Sequence, residues 1–252
     1  MFRRGTFCIW QRNFLYFRYN WLVSILWVVF EPLLFLYAIG YGLGNYVGEI
    51  QGISYAEFFF PALMVASGMI VAVFESTYST YTKLTRQQTF HAILLSPVMP
   101  RDVAYGEIWW ASTKGFLSCM GVAVAASLQG LVSTWMILPA LMVAFAIVWI
   151  FAAFGLLVTT SARNYDWFIY AQTGIVMPLY FFSGTYFPVD HMPWILQKVV
   201  LLSPLYHGVQ AVRMILLSDG DWYLIVHVCV VLVFAMGLTK LSVDRMERKL
   251  IA

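Results

Sequence analysis

The chain has 252 residues, 62% of them hydrophobic and 11% charged, with a mean hydropathy of +0.78. No soluble domain of this length needs so much apolar surface for its core, so the composition excludes a soluble protein and defines an integral membrane one. The net charge of +3 comes from basic residues that flank apolar segments and form no stripe, which excludes a nucleic-acid surface.

In chain order, residues 1–20 come first as an interfacial helix. Phe7, Trp10, Phe14 and Phe17 recur three and four residues apart, with Arg4, Arg12 and Arg18 mostly off that face. A plain cytoplasmic extension of the first span is the other reading, and the two are compatible. Gln11, Arg12, Asn13 and Arg18 interrupt any early apolar core, so no cleavable signal peptide is expected and the first span serves as its own insertion signal.

Six spans follow, near residues 21–43, 58–80, 103–128, 136–160, 167–187 and 222–239. The third and fourth must form a hairpin, because Gly115 to Ala162 is 48 residues without Asp, Glu, Lys or Arg, against the roughly 20 that cross a bilayer. Gln129, Gly130, Ser133, Thr134 and Pro139 mark its turn. Arg3, Arg4, Arg12 and Arg18 precede the first span, and Lys240, Arg245, Arg248 and Lys249 follow the last. Both termini are therefore expected inside, together with Lys83, Arg86, Arg101 and Arg163; Lys198 and Arg213 fall outside. Cys8, Cys119 and Cys229 are odd in number and near or within apolar segments, and form no disulfide framework.

Two segments break the pattern. Residues 83–102 form the longest polar interruption on the inner side, yet Phe90, Ile93 and Leu94 make a short apolar face there. Such a face suits a helix that docks into a partner; packing on the protein's own helix ends is the alternative. Residues 188–217 are apolar but broken at Pro188, Pro193 and Pro204, which predicts two or three short re-entrant helices and no continuous span.

Ionisable residues inside spans are costly and mark function first. Glu31 precedes Pro32 at a predicted kink, where hydrogen bonding at the kink is favoured over a proton relay. Glu107 and Lys114 lie seven residues apart on one helix face, and Glu75 is a possible partner for Lys114. A network of these groups suits assembly better than transport, since no ladder of acids crosses the membrane. His91, His191, His207 and His227 lack metal-ligand spacing, so no metal is expected. The chain also has no G-x-x-x-x-G-K-[ST] loop and no nucleophile with an adjacent base, which puts any ATP hydrolysis elsewhere. Aromatics such as Tyr78, Tyr81, Trp109, Trp110, Tyr180 and Tyr186 suit interfacial belts, or stacking along a glycan path.

The run YDWFIYAQTGIVMPLYFFSGTYFPVDHMP at 165–193, with Pro204, His207 and Arg213 in LLSPLYHGVQAVRMILL, resembles the signature region of type-2 ABC exporter permeases. Within them it is similar to the NodJ-like branch, which exports nodulation factors and lipooligosaccharides. Glu31-Pro32-Leu33, F-E-S-T-Y at 74–78 and G-E-I-W-W-A-S-T-K at 106–114 extend the resemblance from the first span through the broken tract. Tyr206-His207 departs from the threonine followed by tyrosine or histidine of many relatives.

The resemblance implies an all-α permease of one transmembrane domain over residues 1–252, in a bacterial inner membrane. It implies a homodimer with two copies of an ATP-binding subunit, which carry the ATP and magnesium, and an amphiphile exported from the inner leaflet. The loop at 83–102, with Arg86, Phe90, Ile93 and Leu94, would couple to the ATPase. Gly184, Pro188, Pro193, Pro204, His207 and Arg213 would belong to the signature tract. An ion-coupled secondary transporter using Glu31 and Glu75 is the competing class, opposed by the absence of two similar halves. A lipid-acting intramembrane enzyme is a third, without a clustered acid, base or metal set.

Overall fold

The computed structural model describes residues 4–132, 134–217 and 222–251. Arg3, counted toward the inner charge, and Ser133 of the expected hairpin turn lie outside the described residues. An N-terminal helix α1 (Arg4–Tyr19) leads into α2 (Trp21–Val47) and α3 (Tyr55–Arg86), then a short α4 (Thr89–Leu94). Next come α5 (Pro100–Leu128), α6 (Thr134–Ser161) and α7 over residues 166–182. Two short pieces, α8 (Trp194–Val200) and α9 (Pro204–Leu217), precede α10 (Tyr223–Ile251). Between α2 and α3 a tight hairpin pairs Ile50 with Ile53, and its turn residues Gln51 and Gly52 both take positive φ.

Five helices (α2, α3, α5, α6 and α10) are long and apolar enough to cross a bilayer. The 17 residues of α7 meet the lower limit of about 17, and α8 and α9 are bent by 85° across their break, so they cannot be one straight span. With α7 as the sixth crossing, this is an all-α polytopic membrane protein with a helix before the first span and a broken tract before the last. Pro188 and Pro193 cap short helical pieces and Pro204 opens α9, positions where a missing backbone donor costs nothing.

The structure moves several expected boundaries, among them the end of the last helix, which runs to Ile251 and not to Thr239. The second span does not stop at Thr80 but runs to Arg86, because the charge of Lys83 is neutralised inside the bundle; the loop expected from 83 to 102 shrinks to residues 87–99, which include α4. The fifth span ends at Phe182, before the expected Phe187, where Gly184 takes a φ of +79° and turns the chain. The buried face of α1 is Thr6, Ile9 and Asn13 against α5; the aromatic stripe lies beside it, stacked ring on ring, with Phe7 and Phe14 exposed.

At the centre stands α3, with 83% of its most apolar window buried, against 17% for α2 and 6% for α10. The outer helices thus present apolar surface to lipid or to another protein. Close approach of α3 and α5 depends on two glycines: a Cβ on Gly115 would stand 2.5 Å from the Gly68 carbonyl oxygen, and one on Gly68 would stand 2.4 Å from Cys119 Sγ.

Contacts sort the connecting segments into two ends. At one end Thr6 donates to Asp102, Tyr81 to the Arg163 carbonyl, Arg101 pairs with Glu247 and Lys249 donates to the Thr160 carbonyl. At the other, Tyr55 donates to the Tyr186 carbonyl, and Arg213 donates to the carbonyls of Phe58 and Gly184. Both described termini and the 87–99 connection therefore share one end, as six crossings require.

Candidate functional site

A wide π-helical turn at Glu75–Ser79 interrupts α3, aims Glu75 at α5 and offers the Ser76 and Thr77 carbonyls to Thr159 on α6. Both oxygens of the Glu75 carboxylate are occupied: Trp110 Nε1 donates to Oε1 and Lys114 Nζ to Oε2, each at 2.8 Å. A helical turn or two along, Glu107 accepts from Asn13 Nδ2 at 3.0 Å and from Thr80 Oγ1 at 3.2 Å, and forms an ion pair with Lys83. Lys83 Nζ also donates to Asn13 Oδ1 at 3.3 Å, so α1 closes the second pair. In these two pairs the buried Glu75, Lys83 and Glu107 each have an opposite charge and at least one further hydrogen bond, the condition under which buried ion pairs are tolerated.

Glu75, Glu107 and Lys114 are brought together as two adjacent pairs, not as one shared cluster: Glu107 and Lys114 share a face but take different partners. Glu31 stands apart. It is exposed on α2 and makes no hydrogen bond or ion pair among the described residues, although it borders a small crevice with Pro32, Ser67 and Tyr180. Sequence reasoning missed Lys83, Thr80, Asn13 and Arg12. Lys83 read as a loop cation, yet it lies eight residues beyond Glu75, and that spacing puts both on one helix face.

Beside this network a cavity of about 560 Å³ opens between α1, α2, α3 and α5. Arg12, Glu75, Lys83 and Lys114 line it with the aromatic rings of Tyr16, Phe17, Tyr78 and Trp110. Two rings of the expected aromatic set, Tyr78 and Trp110, therefore face the cavity, and Tyr81 instead packs edge-on against Tyr165 and Phe168.

The proposed coupling face differs from expectation. Phe90 is completely buried in the core, and Ile93 and Leu94 pack partly against it, so they hold α4 onto the bundle. Arg86 at the end of α3 is exposed, and so in the connection are Gln87, Gln88, His91, Ala92, Leu95, Ser96, Pro97 and Met99, with Leu95 92% exposed.

In the signature tract Arg213 does the joining. Its Nη2 donates at 3.0 Å both to the Phe58 carbonyl on α3 and to the Gly184 carbonyl in the turn after α7, and its guanidinium lies over the Phe58 ring. His207 Nδ1 meets His227 Nδ1 at 2.8 Å, linking α9 to α10, and His207 Nε2 lies 2.9 Å from the Leu201 carbonyl oxygen. Pro188, Pro193 and Pro204 set the breaks between these pieces.

A helical bundle of this span count, with a charged network and a broken tract, defines a polytopic membrane protein. The chain belongs to the ABC-2 type transporter family, whose pattern matches residues 4–217. Nodulation protein J of Rhizobium leguminosarum bv. viciae is 32% identical over 242 residues, covering 96% of this chain and 93% of that protein. Nodulation protein J of Rhizobium meliloti (strain 1021) is 34% identical over 242 residues, covering 96% and 92%. The inner membrane transport permease YadH of Escherichia coli (strain K12) is 22% identical over 231 residues, covering 91% and 89%. The chain is the membrane subunit of an ABC exporter and works with an ATP-binding subunit. The secondary-transporter alternative gains no support: Glu31 makes no hydrogen bond or ion pair among the described residues, and Glu75 is held by Lys114 and Trp110.

Proposed function

We propose that this permease moves a lipid-linked oligosaccharide or similar amphiphile out of the inner leaflet of a bacterial inner membrane, as a homodimer with two ATP-binding subunits. The observation that carries the cargo class is the cavity, which combines charged groups with four aromatic rings next to an interfacial helix. Sugar rings stack on such faces, and the exposed apolar stripe of α1 suits the lipid boundary. A single set of six spans has no second half to alternate against; a second copy supplies it by symmetry, across the largely unburied faces of helices such as α2 and α10. ATP bound by the partner then shifts the dimer between states through contacts at the 87–99 connection. Hydrolysis and its magnesium belong to the partner, and this chain contributes transport alone.

Coupling passes to the exposed edge of that connection. Leu95→Asp places a charge where a partner's apolar groove would sit, and Leu95 has no core role to lose. Stimulation of ATPase activity by a lipid-oligosaccharide, and not by the free oligosaccharide, is expected of the reconstituted complex. In the Leu95→Asp complex that stimulation should fall about tenfold at normal expression. Equal stimulation by free sugar would remove the amphiphile; unchanged coupling in the variant would remove this edge.

The end that holds both described termini is the cytoplasmic one in this reading, by the excess of Lys and Arg there. Asp190 is exposed at the opposite end, so Asp190→Cys in a background lacking Cys8, Cys119 and Cys229 should react with an impermeant thiol reagent in intact cells. Labelling confined to inverted vesicles would reverse the topology.

A further inference from the structure

We propose that the cavity between α1, α2, α3 and α5 binds the anionic group, a phosphate, sulfate or carboxylate, of an amphiphile in the adjoining leaflet, with Arg12 as its partner. Arg12 Nη1 is buried and has no hydrogen-bond partner in the structure, and the residue makes no ion pair among the described residues. A buried guanidinium donor left without an acceptor is costly, and such orphans ask for an occupant.

The cavity offers Arg12 hydroxyl and amide oxygens, from Ser24, Ser79 and Gln87 among others, but no carboxylate left without a donor. Three cations, Arg12, Lys83 and Lys114, stand near two carboxylates, and all four carboxylate oxygens are engaged by other donors. One positive charge is left over, and it is the one with the unmet donor. Tyr16, Phe17, Tyr78 and Trp110 supply walls that a small inorganic anion would leave unused. An anion carried on an apolar or ring-bearing body satisfies both halves of the lining. That this ligand is the cargo rests on the exporter reading above; that it binds does not.

Binding can be measured without ATP or transport. The full chain, purified with its ATP-binding partner in neutral detergent, is titrated with dihexanoyl phosphatidic acid, dihexanoylglycerol and inorganic phosphate, with tryptophan fluorescence as the readout. Phosphatidic acid should bind at least about tenfold more tightly than either of the others, because only it meets both charge and wall. Arg12→Gln should weaken phosphatidic acid about tenfold or more and leave dihexanoylglycerol unchanged. Arg18→Gln, an exposed change on the same helix, should have no effect. Ser24→Glu brings a carboxylate into the same cavity, so it should block phosphatidic acid, and it keeps the test decisive if Arg12→Gln does not fold. Equal affinity in wild type, Arg12→Gln and Ser24→Glu overturns the site. Inorganic phosphate binding as tightly as phosphatidic acid, with the same loss in Arg12→Gln, would make it a free-anion site and overturn the amphiphile. Failure here leaves the exporter standing, and failed export of a glycolipid leaves a measured anion site standing.

Discussion

Gly115→Val should abolish the folded protein. The added branch would stand where even a Cβ lies 2.5 Å from the Gly68 carbonyl oxygen and 2.7 Å from Val148 Cγ1. The first of these atoms is backbone on the central helix, so no rotamer change can relieve the contact; α3 and α5 must separate. That opens the most buried part of the bundle, where overpacking and lost contacts together cost several kcal/mol, and only about 5–15 kcal/mol holds a typical domain folded. Monodisperse protein recovered in mild detergent should drop to near zero, while Gly237→Val, at a position with open space around its Cα, should leave the yield unchanged. Normal recovery of Gly115→Val would show that the two helices do not cross at this point.

The second large effect belongs to the Lys83–Glu107 pair. Glu107 is 1% exposed, so Lys83→Met leaves a carboxylate buried with only Asn13 and Thr80 as donors, a loss of about 3–5 kcal/mol for a broken buried pair. Removing both charges with Lys83→Met and Glu107→Gln should be milder than Lys83→Met alone, since the double variant carries no stranded charge. Thermal stability of the four proteins in one detergent gives the coupling directly. Strictly additive losses would mean that the two groups do not interact. The Glu75–Lys114 pair should couple as well but less strongly, because Lys114 and Glu75 are more accessible, at 14% and 11%.

The fold was largely legible because bilayer thickness sets a length that sequence can be measured against. The 48-residue uncharged run could only be a hairpin, and Pro188, Pro193 and Pro204 sit at breaks as expected, whereas Pro139, expected in the hairpin turn, lies inside α6 and Pro61 inside α3. Errors arose where tertiary pairing overrides polarity. Lys83 marks a helix end by composition, but Glu107, 24 residues on, keeps it inside. Phe90 read as an offered face because the loop around it is polar; what covers it is the bundle's own core, which no local pattern reveals. On α1 the aromatic stripe drew attention, whereas Thr6, Ile9 and Asn13 at spacings of three and four make the buried contact. The Glu75–Lys114 pairing was accessible to helix-face reasoning, since both side chains point inward from neighbouring spans. Arg12 was not, because an orphaned donor is visible only once its surroundings are placed.

Vesicles containing the permease and its ATP-binding subunit, loaded with a fluorescent lipid-oligosaccharide in the leaflet facing ATP, give the most direct test of an ATP-driven exporter. Movement of the label to the opposite leaflet should require ATP, stop when the partner's hydrolysis is blocked, and continue when the proton gradient is collapsed. Movement that persists without ATP and stops on collapse of the gradient would contradict the account.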